Sequence, residues 1–290
     1  MPDFQKQTVQ WFPGHMAKTR RQIKESLPLV DCVTELLDAR VPLASRNPEL
    51  DTLTQRKPRI VLLNKCDMAD EATTRQWIDW FASHGQAAIA VDCRSGKGLN
   101  LYHPLVKKVL AEKIRANAEK GMAGRALRVM VVGIPNTGKS SFINRMAKKS
   151  RAVVADRPGV TRHNQWFAIG NGIELLDTPG VLWPKFDDPE VGNKLAFIGS
   201  VKDEIMDSET MACRLLEVLK KDYAPLLCER YKLTADDLLT DAYTVLEHIG
   251  RKRGMLMRGG EIDTERAAIM LLDEYRAGKL GRISFEKPEE

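Results

Sequence analysis

Residues 133–140 read GIPNTGKS, the spacing G-x-x-x-x-G-K-S of a phosphate-binding loop. The preceding VMVV predicts a strand and the following SSFINRM a helix, which is the context that this loop requires. Glycines permit a tight turn, backbone N–H groups at the helix N-terminus point at phosphates, and Lys139 adds positive charge. An ordinary glycine turn is the alternative. The residues expected at the phosphates are Pro135, Asn136, Thr137, Gly138, Lys139, Ser140 and Ser141.

Two later stretches supply oxygen ligands and a γ-phosphate contact. Asp177 ends the apolar run IELLD and is expected to hold Mg²⁺ through water, while the Ser140 hydroxyl ligates the ion directly. The Gly180 N–H is expected to sense the γ-phosphate. Thr161, in the sequence RPGVTR, is the candidate switch ligand of both Mg²⁺ and the γ-phosphate. An ordinary strand-to-turn sequence and a turn threonine are the alternatives for these two stretches.

The tetrapeptide NKCD at 64–67 follows the buried-strand pattern RIVLL and has the form that recognises guanine. The carboxylate of Asp67 would accept hydrogen bonds from N1–H and the exocyclic amine, a pair that adenine lacks. Asn64 would support the loop and Lys65 would lie along the purine face. One strand later, VDCRSGKG offers the N–H groups of Cys93 and Arg94 to the guanine carbonyl; a plain strand-to-helix turn explains that stretch equally well.

These motifs sit at the ends of short apolar segments separated by helical patterns. The segments are residues 30–40, 59–67, 87–93, 127–135, 165–170 and 173–180. This alternation predicts an α/β fold with a doubly wound, mostly parallel sheet, whose ligands bind at the C-terminal strand ends. The base motif precedes the phosphate loop, so the sequence predicts a circularly permuted, Ras-like P-loop G domain in which the helix 101–121 joins the old termini.

After about residue 200 the strand patterns stop and helical patterns follow, including TADDLLTDAYTVLEHIG with Thr234 as its expected N-cap. We therefore expect a G domain at 1–204, including an N-terminal segment around His15, and a smaller all-helical domain at 205–290. The tail FEKPEE is expected to fray.

Composition limits the function classes. The net charge is +6 and the pI is about 9.0, which favours polyanionic partners, although a basic enzyme without such a partner has the same charge. The five cysteines form no CxxC pair, which argues against a disulfide framework and a zinc site. No apolar run approaches a membrane span and the N-terminus lacks a secretory pattern, so we expect a cytoplasmic protein with no membrane partner; a mature organellar protein is the alternative.

The motif order, together with WFPGHMAK, DARVP, RNP, PGVT and DTPGVLWPK, resembles the circularly permuted GTPases of the YlqF/YawG group. The resemblance covers the G domain almost end to end. It implies a GTP hydrolase, using GTP/GDP and Mg²⁺, that acts in late assembly of the large ribosomal subunit. The implied partners are large-subunit precursors and rRNA, bound in the GTP state and released on hydrolysis, and no DNA is expected.

Two other classes stay open at this stage. One is a GTP-dependent RNA-binding scaffold or chaperone whose hydrolysis is incidental. The other is a P-loop kinase or ATPase, against which NKCD argues.

Two departures from ordinary Ras-like sequences concern catalysis. Val181 follows DTPG, where a Ras-like protein has its water-orienting Gln. The resemblance points instead to His15, whose imidazole can orient or deprotonate water near neutral pH; a solvent-facing or capping histidine is the alternative. Asn136 is the second departure. In related GTPases an Asn here helps to bind K⁺, and the alternative is an Asn that merely tolerates a strained loop.

Three basic runs suggest contacts with an RNA backbone. They are KTRRQIK at 18–24, RKRGMLMR at 251–258, and the group Lys148, Lys149 and Arg151. Each run alone is more typical of a solvated face, and it is the three together that favour RNA contact. No paired-aromatic RNA motif is present, so recognition of shape and backbone is expected.

Overall fold

A computed structural model describes residues 15–54, 57–149, 165–180, 188–201 and 207–288. The chain divides into two compact units. The first, called the α/β unit below, contains the described residues from 15 to 180 together with the C-terminal residues 284–288. The second, called the helical unit, contains those from 188 to 283. The predicted boundary at 204/205 therefore lies later in the chain than the division that the structure shows.

The α/β unit is built on a six-stranded sheet in the order β3-β2-β1-β4-β6-β5. Five strands are parallel, and β5 at one edge is antiparallel to β6. The sequence analysis located all six strands, and the predicted fold class is confirmed. The strands are β1 (Cys32–Asp38), β2 (Arg59–Asn64), β3 (Ala87–Ala90), β4 (Leu127–Val132), β5 (Gln165–Gly170) and β6 (Ile173–Asp177).

Side chains alternate between two apolar layers, one on each face of the sheet. On one face Leu36 and Leu62 join Tyr102 and Phe142 from the crossover helices. On the other face Leu37 and Leu63 pack with a second cluster that includes the fully buried Trp77. Burial on both faces explains why the central strands read as continuous apolar runs.

Within the described residues, six helices accompany this sheet. They are α1 (His15–Ser26), α2 (Pro48–Thr54), α3 (Glu71–Ser83), α4 (Tyr102–Val109), α5 (Ala111–Glu119) and α6 (Lys139–Lys149). The single helix predicted over 101–121 is wrong in detail, because the chain breaks at Leu110 into α4 and α5. This pair connects β3 to β4, and thereby joins the base-binding half of the sheet to the phosphate-binding half.

The helical unit contains α7 (Pro189–Phe197), α8 (Ser208–Asp222), α9 (Ala224–Tyr231), α10 (Ala242–Lys252) and α11 (Thr264–Arg276). Helices α8, α10 and α11 pack mutually around apolar side chains such as Leu216, Leu246 and Leu271. Their N-caps are Asp207, Asp241 and Asp263, each accepting a backbone N–H of the first turn. The predicted N-cap at Thr234 is wrong, since α10 begins later.

A short hairpin links α10 to α11. The Met257 N–H donates to the Glu261 carbonyl at 2.9 Å, and the Asp263 N–H to the Met255 carbonyl at 3.0 Å. Leu256 and Met257 on this hairpin are 54% and 49% exposed. Throughout the described ranges, no helix has the length and apolar character needed to cross a membrane.

The C-terminal segment is not frayed as far as Lys287, contrary to the prediction for FEKPEE. The Phe285 N–H donates to the Arg40 carbonyl at 2.9 Å, and the Glu286 carboxylate accepts the N–H groups of Leu43 and Ala44. The indole N–H of Trp77 donates to the Glu286 carbonyl at 3.1 Å. The end of the chain is thus built into the α/β unit.

Candidate nucleotide-binding site

A cavity of about 340 Å³ opens at the C-terminal edge of the parallel sheet, where the predicted motifs converge. Pockets for small ligands generally start at about this volume. The cavity brings the predicted base residues and phosphate residues together in one site. It is lined by Asn64, Lys65, Asp67, Met68, Asp92, Cys93, Arg94, Asn136, Gly138, Lys139, Ser140 and Ser141.

The phosphate loop has the strained geometry that its sequence suggests. Gly138 has φ +99°, and a side-chain carbon there would collide with the amide of Asn64. Asn136 is exposed on the cavity wall with φ +62°, a left-handed conformation that Asn tolerates better than most residues. The Thr137 hydroxyl donates to the Ile134 carbonyl at 2.9 Å and closes the loop on itself.

Lys139 begins α6 and is buried beneath this loop. Its ammonium donates to the carbonyls of Gly133 and Ile134 at 3.1 and 3.3 Å. Burial lowers the pKa of Lys139 to about 8, although the nearby Asp177 opposes the shift. A buried ammonium that donates to neutral carbonyls is well suited to pair with phosphate oxygens.

Asn64 connects three of the motifs. Its side-chain amide donates to the Thr137 carbonyl in the phosphate loop at 2.7 Å. Its side-chain oxygen accepts the Cys93 N–H, in the second base loop, at 3.0 Å. Because Asn64 is only 3% exposed, both bonds are shielded from water. The predicted supporting role of Asn64 thus has a geometric basis on both sides of the cavity.

Lys65 has a partner that the sequence analysis did not identify. Its ammonium lies 2.9 Å from a carboxylate oxygen of Asp38, at the end of β1. Arg40 donates to both oxygens of the same carboxylate at 2.9 Å. Asp38 and Arg40 are 0% and 1% exposed. Burial would raise the pKa of Asp38, but Arg40 and Lys65 outweigh it and hold that pKa well below its usual range. In the sequence, the feature that could have identified Asp38 and Arg40 is a pair of opposite charges at the end of an apolar strand.

The remaining predicted base residues show a mixed outcome. Asp67 lines the cavity and is exposed, so its side chain is accessible to a ligand there. The N–H groups of Cys93 and Arg94, predicted to meet the guanine carbonyl, are bonded inside the protein instead. Cys93 donates to Asn64, and Arg94 donates to the Asp92 carboxylate at 2.8 Å.

The predicted metal ligands lie on adjacent elements. Asp177 ends β6, pairs in register with Val131 of the phosphate-loop strand, and is 6% exposed. Ser140 lies exposed in the first turn of α6. A hydroxyl and a carboxylate are hard oxygen donors that suit Mg²⁺. Gly180 lies close to Lys139 and Pro135. A side-chain carbon built on Gly180 would stand 3.0 Å from the Lys139 ammonium.

Several predicted residues fall outside the described part of the chain. They are Thr161, Val181, Arg151 and the side chains of His15, Lys148 and Lys149.

The topology, the phosphate loop and the adjoining NKCD motif define the class of this protein. It is a P-loop GTPase with a circularly permuted G domain. The family described as "50S ribosome-binding GTPase" matches residues 128–237.

The chain is also similar to curated proteins along nearly its whole length. It is 48% identical to ribosome biogenesis GTPase A of Bacillus cereus, over 97% of this chain and 95% of that protein. It is 36% identical to ribosome biogenesis GTPase A of Thermotoga maritima, over 97% and 95%. A solved structure, GNP-bound YlqF from T. maritima, matches with a TM-score of 0.66 and 32% identity, covering 94% of this chain and 99% of that one.

The chain therefore belongs to the ribosome biogenesis GTPase A family, whose members are GTPases of ribosome biogenesis.

Proposed function

We propose that this GTPase acts in late assembly of the large ribosomal subunit, in the cytoplasm. It binds precursor particles and their rRNA in the GTP state and leaves after hydrolysis. The observation that carries the proposal is the cavity that brings the NKCD residues and the phosphate loop into one site. The match to a family described as 50S ribosome-binding supports the choice of subunit.

The proposal is tested by adding large-subunit precursor particles to the purified protein. We expect the particles to accelerate GTP hydrolysis, and depletion of the protein to leave immature large subunits. Binding to particles without any change in hydrolysis would favour a scaffold instead. Displacement of bound GTP by an equal concentration of ATP would refute the guanine-specific site.

Guanine recognition is assigned to Asp67. A carboxylate accepts from two donors on the guanine edge, whereas the amide in Asp67→Asn offers a donor to a carbonyl at the same place. We expect this variant to lose GTP affinity and to gain affinity for xanthosine triphosphate, which carries a carbonyl instead of the amine. The matched control is Asp79→Asn, an exposed carboxylate on α3 of the same unit. Equal GTP affinity in the Asp67 variant would contradict the assignment.

Mg²⁺ is assigned to Ser140 and Thr161, with Asp177 acting through a water molecule. The ion supplies charge neutralisation at the β- and γ-phosphates. Ser140 and Asp177 present oxygen donors on adjacent elements, as described above. Ser140→Ala is expected to weaken the dependence of GTP affinity on Mg²⁺ concentration, as measured by titration with and without a chelator.

His15 is proposed to orient or deprotonate the attacking water. Its support is the absence of a Gln after DTPG, where Val181 stands, together with the family resemblance of WFPGHMAK. We expect His15→Ala to lower the turnover number on ribosomal particles while the Kd for GTP stays the same. Unchanged turnover would remove His15 from the mechanism.

Asn136 is proposed to help to bind K⁺ beside the phosphates. Its support is a left-handed backbone that presents it, exposed, on the cavity wall. A cation there would neutralise charge that develops in the transition state. Hydrolysis is therefore expected to run faster in KCl than in NaCl, and Asn136→Ala is expected to remove the difference. Equal rates of the unmodified protein in the two salts would refute this role.

RNA contact is assigned to the hairpin between α10 and α11 and the basic residues beside it. Lys252 and Arg258 are exposed there, next to the exposed Leu256 and Met257. Reversal of both charges is expected to weaken binding to precursor particles and to lower the slope of the salt dependence by about one unit for each phosphate that is no longer neutralised. Lys221→Glu on α8 makes the same kind of charge change outside the hairpin and serves as control. Equal effects of the two changes would speak against a specific contact.

A further inference from the structure

The ion-paired group beneath the base-binding loop is placed to control nucleotide binding. Asp38 is completely buried, yet it carries a charge that two cations share. Arg40 engages it through two nitrogens, and that pair alone would satisfy the carboxylate geometrically. The Lys65 ammonium is therefore an additional partner, brought in from the neighbouring strand.

The position of Lys65 is unusual for a lysine. Its backbone has φ +62°, in the left-handed region that L-residues occupy with strain. The side chain lines the nucleotide cavity while its ammonium is held at Asp38. A long, flexible side chain is thus fixed at its far end, and its aliphatic stem forms a ready wall for a base.

The register of the sheet explains why Asp38 can do this. Asp38 of β1 pairs with Asn64 of β2, the residue directly before Lys65. The Asp38 N–H also donates to the Ser45 hydroxyl at 3.0 Å, which ties the backbone at the end of β1 to the loop that follows it. Any movement of that loop would therefore be transmitted to Lys65.

The same loop is held by the end of the chain. The Glu286 carboxylate accepts the N–H groups of Leu43 and Ala44 at 2.7 and 3.1 Å, and the Phe285 N–H donates to the Arg40 carbonyl. Glu286 in turn is fixed by the buried indole of Trp77. A continuous series of bonds thus runs from the C-terminal segment through Arg40 and Asp38 to Lys65.

We infer that Asp38 and Glu286 are positioning residues for nucleotide binding: Asp38 acts by anchoring Lys65, and Glu286 by holding the loop that follows Asp38 and contains Arg40. This inference rests on the proposed role of NKCD in binding the guanine base. Because the Lys65 side chain is already ordered before the nucleotide binds, binding does not incur the entropy cost of ordering it. The C-terminal segment is thereby part of what sets nucleotide affinity.

The test measures the Kd for GDP and the thermal midpoint of the nucleotide-free protein in a set of variants. Asp38→Asn is expected to raise the Kd about 2- to 12-fold, the equivalent of ordering one long side chain. Lys65→Met keeps the stem, removes the ammonium, and is expected to raise the Kd similarly. Because Asp38 acts through Lys65, the double variant should bind GDP no more weakly than Lys65→Met alone. Asp79→Asn is the control and should leave the Kd unchanged.

If Asp38 had a purely structural role, Asp38→Asn would lower the thermal midpoint. In the double variant, the fold-increase in Kd caused by Asp38→Asn would then multiply the fold-increase caused by Lys65→Met. That outcome would overturn the inference. If Asp38→Asn fails to fold because Arg40 loses its counter-charge, Glu286→Ala carries the test. It should raise the Kd in the otherwise unmodified protein and have no effect in the Lys65→Met background. Lys287→Ala, an exposed neighbour, is its control. Equal Kd values for Glu286→Ala and Lys287→Ala would also overturn the inference.

Asp67→Asn separates this inference from the proposed function. If Asp67→Asn leaves GDP affinity unchanged, base recognition by NKCD is wrong. If it weakens GDP binding while Asp38→Asn and Glu286→Ala do not, only the positioning role is wrong.

Discussion

Replacement of Asn64 by alanine tests whether one side chain holds the two halves of the site together. The substitution removes the bond to the Thr137 carbonyl and the bond from the Cys93 N–H. The bond to the Thr137 carbonyl contributes about 1 kcal/mol to the free energy of unfolding. The Cys93 N–H is buried among residues of the sheet, and leaving it without a partner costs about 1–3 kcal/mol. The expected loss in the free energy of unfolding is therefore about 2–4 kcal/mol.

Urea unfolding of the nucleotide-free protein, followed by tryptophan fluorescence, gives this number. Trp77, Trp80 and Trp166 all lie in the α/β unit, so the signal from these three reports the unit that carries the change. Asn117→Ala is the matched control, since Asn117 is also buried, at 8% exposure, and lies on α5 outside the cavity. GDP affinity should fall at least tenfold in the Asn64 variant and stay constant in the control.

Asn64→Asp makes the test sharper. Its carboxylate still accepts the Cys93 N–H but would face the Thr137 carbonyl, acceptor against acceptor. Nucleotide affinity should therefore fall, while the second base loop keeps its support. If Asn64→Ala loses less than about 0.5 kcal/mol, or no more than Asn117→Ala, the bridging role is refuted.

Three further outcomes are expected. Burial holds the pKa of Lys139 near 8 and phosphates favour its charged form, so GDP binding at pH 8.5 should take up protons, and GDP affinity should fall as the pH rises further. This pH lies below the range in which guanine loses its N1 proton. Calorimetry in two buffers measures the proton uptake, and no uptake would contradict the expectation. Gly138→Ala should abolish nucleotide binding in a fluorescence titration, since its φ and the neighbouring Asn64 amide exclude a side-chain carbon; retained affinity would show that the loop adapts. Glu274→Gln should destabilise the helical unit by about 2–3 kcal/mol in circular dichroism melts, because it weakens the bonds from Arg230 and Tyr231. Hydrogen bonding by Arg230 lowers the pKa of the Glu274 carboxyl in the folded protein. The stability that Glu274 provides is therefore present above the ordinary glutamate pKa and is lost as the pH falls. If Glu274→Gln has the same acid sensitivity as the unmodified protein, this expectation is disproved.

The sheet could be predicted from the sequence because its strands are buried on both faces. Apolar runs such as RIVLL and LRVMVV are stable in few environments other than a sheet that is buried on both faces. Each run also ends in a motif whose chemistry requires the end of a strand. The helices were predicted less accurately. Leu110 looks like a continuation of α4, yet the chain restarts there as α5. Thr234 looked like an N-cap, but Asp241 is the residue whose carboxylate accepts the N–H groups of Tyr243 and Thr244.

In the candidate site, too, some residues could be predicted from the sequence and others could not. Spacing within one motif identified Lys139 and Asn64, because the chain itself holds the members of each motif together. Contacts between distant segments leave no local pattern. The carboxylate of Asp38 meets Lys65 only through strand pairing, and Glu286 meets Leu43 across 243 residues of chain. Such partners follow from tertiary structure alone.

That last separation has a consequence for biosynthesis. Residues 284–288 are synthesised after every residue that they contact, yet they belong to the same unit as the described residues from His15 onward. Domains generally fold as they emerge, so the helical unit can finish while the older part of the chain still lacks its closing contacts. Trp77 and the loop after β1 then acquire their partner Glu286 only after the helical unit has been synthesised. Synthesis that stops before Phe285 therefore leaves a G domain that lacks these contacts.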